Sequence, residues 1–422
     1  MLNAGYIEVD ITPPPGLRLG GFMHRLGLPS RGFKDPLYAR ILVLSSGKEE
    51  FAIIQLDLLG VYRSYANTIR DAIRKALGVK SVMVATTHTH SAPETVIPMW
   101  PNTLPYTDEE RALLDLWMKS IVEKIKEAAG TLSLETVEDI CVSYTNVEGL
   151  CYNRSFPGEI FDSETPIIMI RTTGGKTVVY SSPCHPVCNT DLYYSADYHA
   201  YVVSTLNSNR IKAVPLTGAA GNVSSMRKRY YYAKSMGSEL AKRIINSLTT
   251  CKCLNPVISL GSTEVEIPLR RVEYEHALKR FREAYSKYID VFMAERAKGI
   301  VDERYFTMFE EPLYADQELE VAKLGLIRGI VTELQVFRVG GINLVSFPGE
   351  MVSETSLLIK RALPEINTVF STYTNDYIGY VPTEKFFYNS KYEARTALWS
   401  IVDRKAEPLI RSRIIDLIRE VM

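Results

Sequence analysis

The stretch Val82-Met83-Val84-Ala85-Thr86-Thr87-His88-Thr89-His90-Ser91-Ala92-Pro93 decides how the rest of the chain is read. Its apolar run predicts a buried strand. The run ends in two histidines two residues apart. Side chains of a strand alternate between faces, so His88 and His90 are expected to point the same way. The chain holds 6 histidines in all, so a pair at one strand end is not background. Imidazole is the commonest metal ligand and an acid/base group near neutral pH. A metal site is therefore expected at this strand end, with other polar residues converging on it.

The bulk composition narrows the classes. The chain has 422 residues, 46% hydrophobic and 23% charged, with 49 basic and 49 acidic side chains. That suits a globular protein of one large or two ordinary domains. Nothing in it marks a nucleic-acid footprint or a polybasic membrane anchor. No apolar run approaches the roughly 20 residues of a membrane span. The opening Met1-Leu2-Asn3-Ala4-Gly5-Tyr6 runs into strand-like sequence without a signal-peptide pattern, so a cytoplasmic location is expected. Six cysteines are too few for a disulfide-built fold of this length. Cytosol favours thiols, whereas a hyperthermophilic source permits bridges. Cys184/Cys188 and Cys251/Cys253 are the close pairs.

Along the chain, strands are predicted at 4–10, 37–46, 51–57, 138–148, 166–172, 177–183, 212–217, 257–268, 332–339, 342–347 and 367–373. Helices are predicted at 62–77, 107–130, 197–208, from the glycine-rich turn 218–225 to 248, and at 272–297, 315–328, 351–363, 391–403 and 406–421. Ala66, Ile69, Ile73 and Leu77 carry the helical spacing in the first of these. Phe281, Tyr285, Tyr288 and Phe292 form an aromatic stripe expected to pack in a core. The helical hairpin 272–328 reads as an insertion or lid. A Gly/Arg-rich loop holding His24 precedes residue 35. Tyr152-Asn153-Arg154-Ser155 reads as a polar loop. The Pro-broken apolar segment Val96–Pro101 lines a pocket mouth or plugs the interior. Strands and helices alternate while several neighbouring strands are hairpin-spaced, so the class is α/β with mixed sheets flanked by helices.

Polar residues at the ends of apolar strands are where α/β sites form. Five places fit: His88/His90, His185, Gly218–Ser225, Phe347-Pro348-Gly349-Glu350, and the run Asn375–Thr383 with Tyr380. Each also has a plain structural alternative. His185 could be a packed core histidine, or could join Cys184 and Cys188 in a structural zinc site lacking an obvious fourth ligand. Ser224 or Ser225 could cap the following helix. Glu350 could be a first-turn helix acid. Tyr380 could be a half-buried aromatic. Spacing alone points to a hydrolytic metal site.

Taken together, these motifs resemble the neutral/alkaline ceramidase family, the zinc amidases. The resemblance runs through Gly5–Pro13, Thr87–Pro93, Asn153-Arg154-Ser155, Cys184-His185-Pro186, Gly221-Asn222-Val223-Ser224, Pro348-Gly349-Glu350, Tyr380 and Tyr392-Glu393. It implies Zn2+ held by His88, His185, Glu350 and Tyr380, with water completing the shell. It also implies His90, Arg154 and Tyr392 around the substrate amide, and an essential serine at Ser224. Because its last motif lies near residue 422, a catalytic domain without the family's C-terminal β-sandwich is expected. The chain departs from the family in reading Asn222-Val223-Ser224-Ser225 where an acidic residue before and a proline after are usual. Residues 1–422 are thus expected to form one catalytic domain with the 272–328 insertion.

Such a ligand set suits amide hydrolysis. Two neutral imidazoles and one carboxylate leave zinc net positive, which acidifies bound water and polarises a carbonyl. With zinc so held, metal-bound water would be the expected attacking group, Zn2+, Tyr392 or Ser224 would stabilise the oxyanion, His90 would shuttle the proton, and Arg154 would orient a polar head group. The expected function is a zinc-dependent amidohydrolase of an N-acyl amide, ceramide-like or otherwise, in lipid metabolism. The rivals are a zinc hydrolase of an ester, lactone or small non-lipid amide, and a non-catalytic binding protein of the same fold. A metallo-β-lactamase-like site fails because Ser91 and Ala92 follow the second histidine. A serine hydrolase is weakened because the turn at Ser224 lacks the second glycine of a nucleophile elbow.

Overall fold

A computed structural model describes residues 2–325 and 329–422. The chain begins as an antiparallel meander: β1 (Asn3–Asp10), β2 (Tyr38–Ser45) and β3 (Glu50–Leu56). Helix α1 (Arg63–Leu77) then crosses over and lays β4 (Ser81–Thr86) parallel to β3. Helix α2 (Asp108–Gly130) opens on a capping box, in which Thr107 accepts from the Glu110 amide and Glu110 accepts from the Thr107 amide. The strands β5 (Glu135–Asn146), β6 (Cys151–Asn153), β7 (Glu164–Thr172) and β8 (Gly175–Ser182) follow. Helix α3 (Tyr198–Ser208) carries the chain to β9 (Ile211–Thr217), parallel to β8. Then come β10 (Val223–Ser225), α4 (Tyr230–Ser247) and β11 (Lys252–Leu254). The first sheet has the order β4-β3-β2-β1-β5-β7-β8-β9, with β11 beside β5.

A second sheet is built from β12 (Ile258–Pro268), then, after the helices α5 (Tyr274–Ala297), α6 (Tyr305–Met308) and α7 (Glu310–Leu324), from β13 (Gly329–Val339) and β14 (Ile342–Ser346). After β15 (Glu350–Met351) and α8 (Ser353–Ala362), β16 (Asn367–Ser371) adds parallel to β14. The chain closes with β17 (Tyr380–Val381), α9 (Glu384–Tyr388) and α10 (Ala406–Glu420). The short pair β15–β17 is parallel, with Glu350 opposite Tyr380.

Burial explains the layering. Along β2, Ile41 and Val43 pack with Ile69, Ile73, Ile121 and Ile125 of α1 and α2. Their neighbours Leu42 and Leu44 pack with Phe337 and Leu344 of the second sheet. A strand covered on both faces reads as an unbroken apolar run, as residues 41–44 do. Helices α3 and α4 cover the other half of the same outer face, and α8 and α10 cover the second sheet. The order of layers is helices, first sheet, second sheet, helices. Phe51 on Phe337, ring centroids 4.6 Å apart, typifies the seam between sheets; burying such a ring is worth about 2–3 kcal/mol.

At one end the sheets are tied by main-chain hydrogen bonds. The Thr86 amide donates to the Tyr373 carbonyl, Asn375 to Val84, and Thr372 to Thr217. This is the carboxyl end of β4, β9 and β16, and the loops that leave it come from both sheets.

Several expectations are corrected. The helix after the glycine-rich turn starts at Tyr230, and Ser224 and Ser225 lie in β10, so neither caps it. Within Tyr152–Ser155, residues 152 and 153 belong to β6, which pairs with β10. No helix spans 391–403: a short 3-10 turn at Tyr392–Ala394 is followed by bends that carry buried Ala397 and Trp399. The helix predicted at 315–328 begins at Glu310 and ends at Leu324, and residues 326–328 fall outside the described residues. Of the aromatic stripe only Phe292 is buried; Tyr285 is exposed and Tyr288 donates to Glu311 at the surface. The stripe faces a two-helix hairpin too thin to cover it. Cys184 is bridged to Cys151 and Cys253 to Cys141, leaving Cys188 and Cys251 as thiols. Pairing across strands, not proximity in sequence, decides this: Cys253 sits opposite Cys141 in the β5–β11 register.

Candidate metal centre

Strand β4 ends at Thr86, two residues before His88, so the strand-face argument for the histidine pair does not hold. His88 instead sits in a left-handed turn, φ 62°, which swings its ring toward the second sheet. The pair still converges: His90 Nε2 lies 3.3 Å from His88 Nε2. His185 enters from the loop after β8, held by its amide on the Val223 carbonyl. Glu350 arrives from the second sheet, in β15 and three residues before α8, so it is not a helix acid. Tyr380 lies beside it in β17.

Hydrogen bonds set the tautomers. A carbonyl can only accept, so His88 Nδ1 donates to Leu59 O at 2.6 Å and His185 Nδ1 donates to Ala220 O at 2.5 Å. Each ring keeps a bare Nε2 aimed at one point. His185 Nε2 is 3.0 Å and His88 Nε2 3.6 Å from Glu350 Oε2. The Tyr380 hydroxyl is 3.5 Å from His185 Nε2. Bonds of about 2.0 Å in tetrahedral geometry set ligand atoms roughly 3.3 Å apart, the spacing found here. The group of His88 and His185, both buried, and His90, partly buried, could itself hold a metal ion, its candidate ligand atoms lying within 4.8 Å of one another. Burial depresses both imidazoles, His88 to about 4 and His185 to about 3, so both are neutral near pH 7. His90 is held well below its ordinary value, first by burial, then by the neighbouring imidazoles and by Arg25 and Arg154. A structural zinc site of His185 with Cys184 and Cys188 is excluded by the Cys151–Cys184 bridge.

Around these groups stand residues that the motifs indicated and others that they did not. Arg154 donates to the Tyr380 hydroxyl at 2.8 Å and to the Gly221 carbonyl at 2.8 Å, and pairs with Glu393 at 3.1 Å. Burial raises the Tyr380 phenol far above its usual range, and Arg154 opposes that. Tyr392 stacks on Trp399 and meets the Tyr380 ring edge-on, with its own ring half exposed. Ser224 bridges His185 through the backbone, and its buried hydroxyl has no partner among the described residues. His90 Nδ1 is likewise unpartnered. Sequence reading missed Tyr377, which donates to Glu350 Oε1 at 2.5 Å, and Tyr373, 3.4 Å from Oε2. Their four-residue spacing in the Tyr-rich run was the available signal. Gly21 is also required here, because a Cβ would lie 2.4 Å from His90 Nδ1.

The space above the four groups is about 30 Å³, walled by Leu59, Ile97, Met99, Tyr392 and Trp399. Of residues 96–100 all but Pro98 are buried, and Ile97 and Met99 form part of the wall. The α5–α7 hairpin closes over that wall. Gln317 donates to the Pro98 and Met99 carbonyls, Asp316 accepts from the Asn102 and Thr103 amides, and Trp100 meets Phe292 edge-on.

Comparison with protein-family models finds no match, and comparison with curated proteins finds none. Among solved structures the chain is similar to neutral ceramidase from Pseudomonas aeruginosa, with TM-score 0.72 and 17% identity over 99% of this chain and 74% of that one. It is similar also to a ceramidase complexed with C2, with TM-score 0.71 and 15% identity over 99% and 75%. At such identity the likeness is one of architecture, and it bears out the resemblance read in the motifs: the chain has the neutral ceramidase fold.

Proposed function

We propose that the chain is a zinc-dependent amidohydrolase that cleaves an N-acyl amide, ceramide-like or otherwise, into an acid and an amine. The observation that carries this is the convergence of His88 Nε2, His185 Nε2, Glu350 Oε2 and the Tyr380 hydroxyl at spacings of 3.0 to 3.6 Å. The donor set fits zinc: two neutral imidazoles turned by backbone carbonyls, one carboxylate, and one phenol beside a cation. Bound there, zinc supplies a Lewis acid that makes hydroxide available near neutral pH and polarises the substrate carbonyl.

The protein groups do the rest. His90 is neutral and adjoins the centre, so its ring accepts the proton released as water attacks and returns it to the departing amine. Ser224 and Tyr392 supply hydroxyls for the developing oxyanion. Arg154 holds Tyr380 in place and aligns a polar part of the substrate. The hairpin around α5–α7 acts as a lid, and Ile97, Met99 and Trp399 keep bulk water from the reacting bond. A cytoplasmic site of action fits two disulfides where the host keeps intracellular bridges, as hyperthermophiles do. No helix among the described residues is long and apolar enough to cross a membrane.

One observation favours a second reading. Space of about 30 Å³ above the centre holds one or two waters, not an acyl chain. With the lid in this position the site suits a short acyl group, an ester or a lactone. Turnover of N-acyl amides of graded chain length, with and without a chelator, separates the readings. The proposal expects chelator-sensitive amide cleavage and about one zinc per chain; zinc-free protein of full activity would defeat it.

A further inference from the structure

A second cavity, about 580 Å³ and open to solvent, lies beside the metal centre and is lined by Thr190, Arg227, Lys228, Arg229, Glu303 and Phe306. The chain as a whole is neutral, yet three consecutive cations stand here against one carboxylate. Glu303 pairs with Arg229 at 3.2 Å. Arg227 and Lys228 make no close ion pair and no side-chain hydrogen bond among the described residues, and Glu303 is the carboxylate whose charge reaches Lys228. The three follow β10 by one residue and lead into α4, an 18-residue helix with no side-chain cap and no acid in its first turn. Its free amides add to the positive field.

The cavity adjoins the metal centre through one aromatic ring. Phe22 meets His90 edge-on with ring centroids 4.8 Å apart, and the Lys228 ammonium is 5.7 Å from the same Phe22 ring. Phe306 flanks the ammonium at the same distance on another side. Lys228 is an exposed residue; where its ammonium nears the two rings, partial burial and the charge of Arg154 lower its pKa, and the charge of Glu303 opposes them. Below Phe22 lies Arg25, fully buried. Its guanidinium donates to the carbonyls of Gly20, His90, Asn189 and Asp191 and to the Ser91 hydroxyl, with no carboxylate in ion-pair contact. Burial lowers Arg25 to about 9, still charged at neutral pH. Keeping Arg25 buried without a paired carboxylate is costly. Exposed cations grouped on one flank of a site raise the local concentration of anions.

We propose that this cavity holds a carboxylate or phosphate borne by the substrate, so that the favoured N-acyl amide carries an anionic group one ring's width from the scissile bond. The inference rests on the proposed amidohydrolase activity. Arg227 offers the planar fork that matches an oxyanion, and Lys228 a point charge.

The test compares three amides with one short acyl group, whose amine part is neutral, bears a carboxylate, or bears a phosphate. The metal-loaded protein is expected to prefer the anionic members in kcat/KM by about tenfold or more, the worth of one charge-assisted hydrogen bond. The Arg227→Gln, Lys228→Gln double variant, altered only on an exposed loop, is expected to lose that preference. Which anionic member is faster identifies the group. Equilibrium dialysis of inorganic phosphate against both proteins gives a readout without turnover. Phosphate bound by the native protein and not by the variant, with no amide cleaved, defeats the amide reading and leaves the anion site standing. Equal turnover of all three amides, or equal phosphate binding by both proteins, overturns the anion site.

Discussion

The imidazole of His88 lies flat on the ring of Tyr373, with centroids 3.8 Å apart and planes 6° apart, and both residues hold a positive φ, 62° and 54°. Neither residue is a glycine, so each backbone stores about 1–3 kcal/mol. The stack is one of the contacts that maintain it, and it fixes the direction of the Nε2 lone pair. Tyr373→Ala is expected to weaken metal binding about 10–100-fold, the usual cost of losing support behind a ligand. Tyr373→Phe keeps the stack and is expected to bind nearly as well. Competition with a chromophoric chelator checks both; equal affinity of the Ala variant and the native protein would contradict the supporting role.

Two ligand sets are open to a metal ion: the proposed His88, His185, Glu350 and Tyr380, or the three imidazoles of His88, His90 and His185. His185→Ala removes a ligand from either set and is expected to take the metal content from about one per chain to near zero. His90→Ala decides between them. With His90 as proton carrier, the variant keeps its metal and loses about 10²–10⁴ in rate. Elemental analysis beside kcat reads this directly, and a His90→Ala protein stripped of metal would make His90 a ligand.

Glu393 is buried, at 1% exposure of its side chain, and Arg154 is the cation in contact with it. Removing a cation from such a carboxylate costs about 3 kcal/mol, the low end being apt because the Arg154 side chain is 24% exposed. Arg154→Met is expected to lower stability by that amount in urea unfolding. Arg154→Met with Glu393→Gln is expected to recover most of it. If the double variant is no more stable than the single, the ion pair is not the cause.

His24 and His199 are buried away from the ligands, and burial pushes each down to about 3 from an ordinary 6.5. Between those values the unfolded chain binds protons that the folded chain does not. Stability is therefore complete above pH 6.5 and declines as pH falls toward 3, by about 1.4 kcal/mol per unit for each group. Urea midpoints at pH 7 and pH 5 for the native protein and His199→Gln check the slope. Parallel pH curves would remove His199 from the account.

Much of this centre could be read from residue order because its parts sit at the ends of apolar strands, where the hydrophobic pattern is strongest. Thr86 closes β4 and Ser182 closes β8, and the ligands follow within three residues. What escaped reading depends on contacts between the sheets. Tyr373 and Tyr377 look like any half-buried tyrosines until β16 is set against β4. The turn at His88 is invisible to a two-residue period, which reached the right convergence by the wrong route. Residues 391–403 carry a helical spacing of apolar side chains, yet Trp399 and Ala397 are drawn into the aromatic cluster over the site instead. Cysteine pairing was not legible for the same reason: Cys151 meets Cys184 only because β6 lies against β10, which adjoins His185.

Two of the proposed ligands follow strands of the nine-stranded layer, and two lie in the short β15–β17 pair, whose strands flank β16 in the chain. An ion at their meeting point would act as a rivet through the molecule. Stripping it would cost more than chemistry: the apolar seam and the main-chain bonds would still join the two sheets, and the whole molecule would melt sooner. The calorimetric transition would stay single and move to lower temperature on demetallation, and the size of the shift would gauge what one atom adds to the union of the layers.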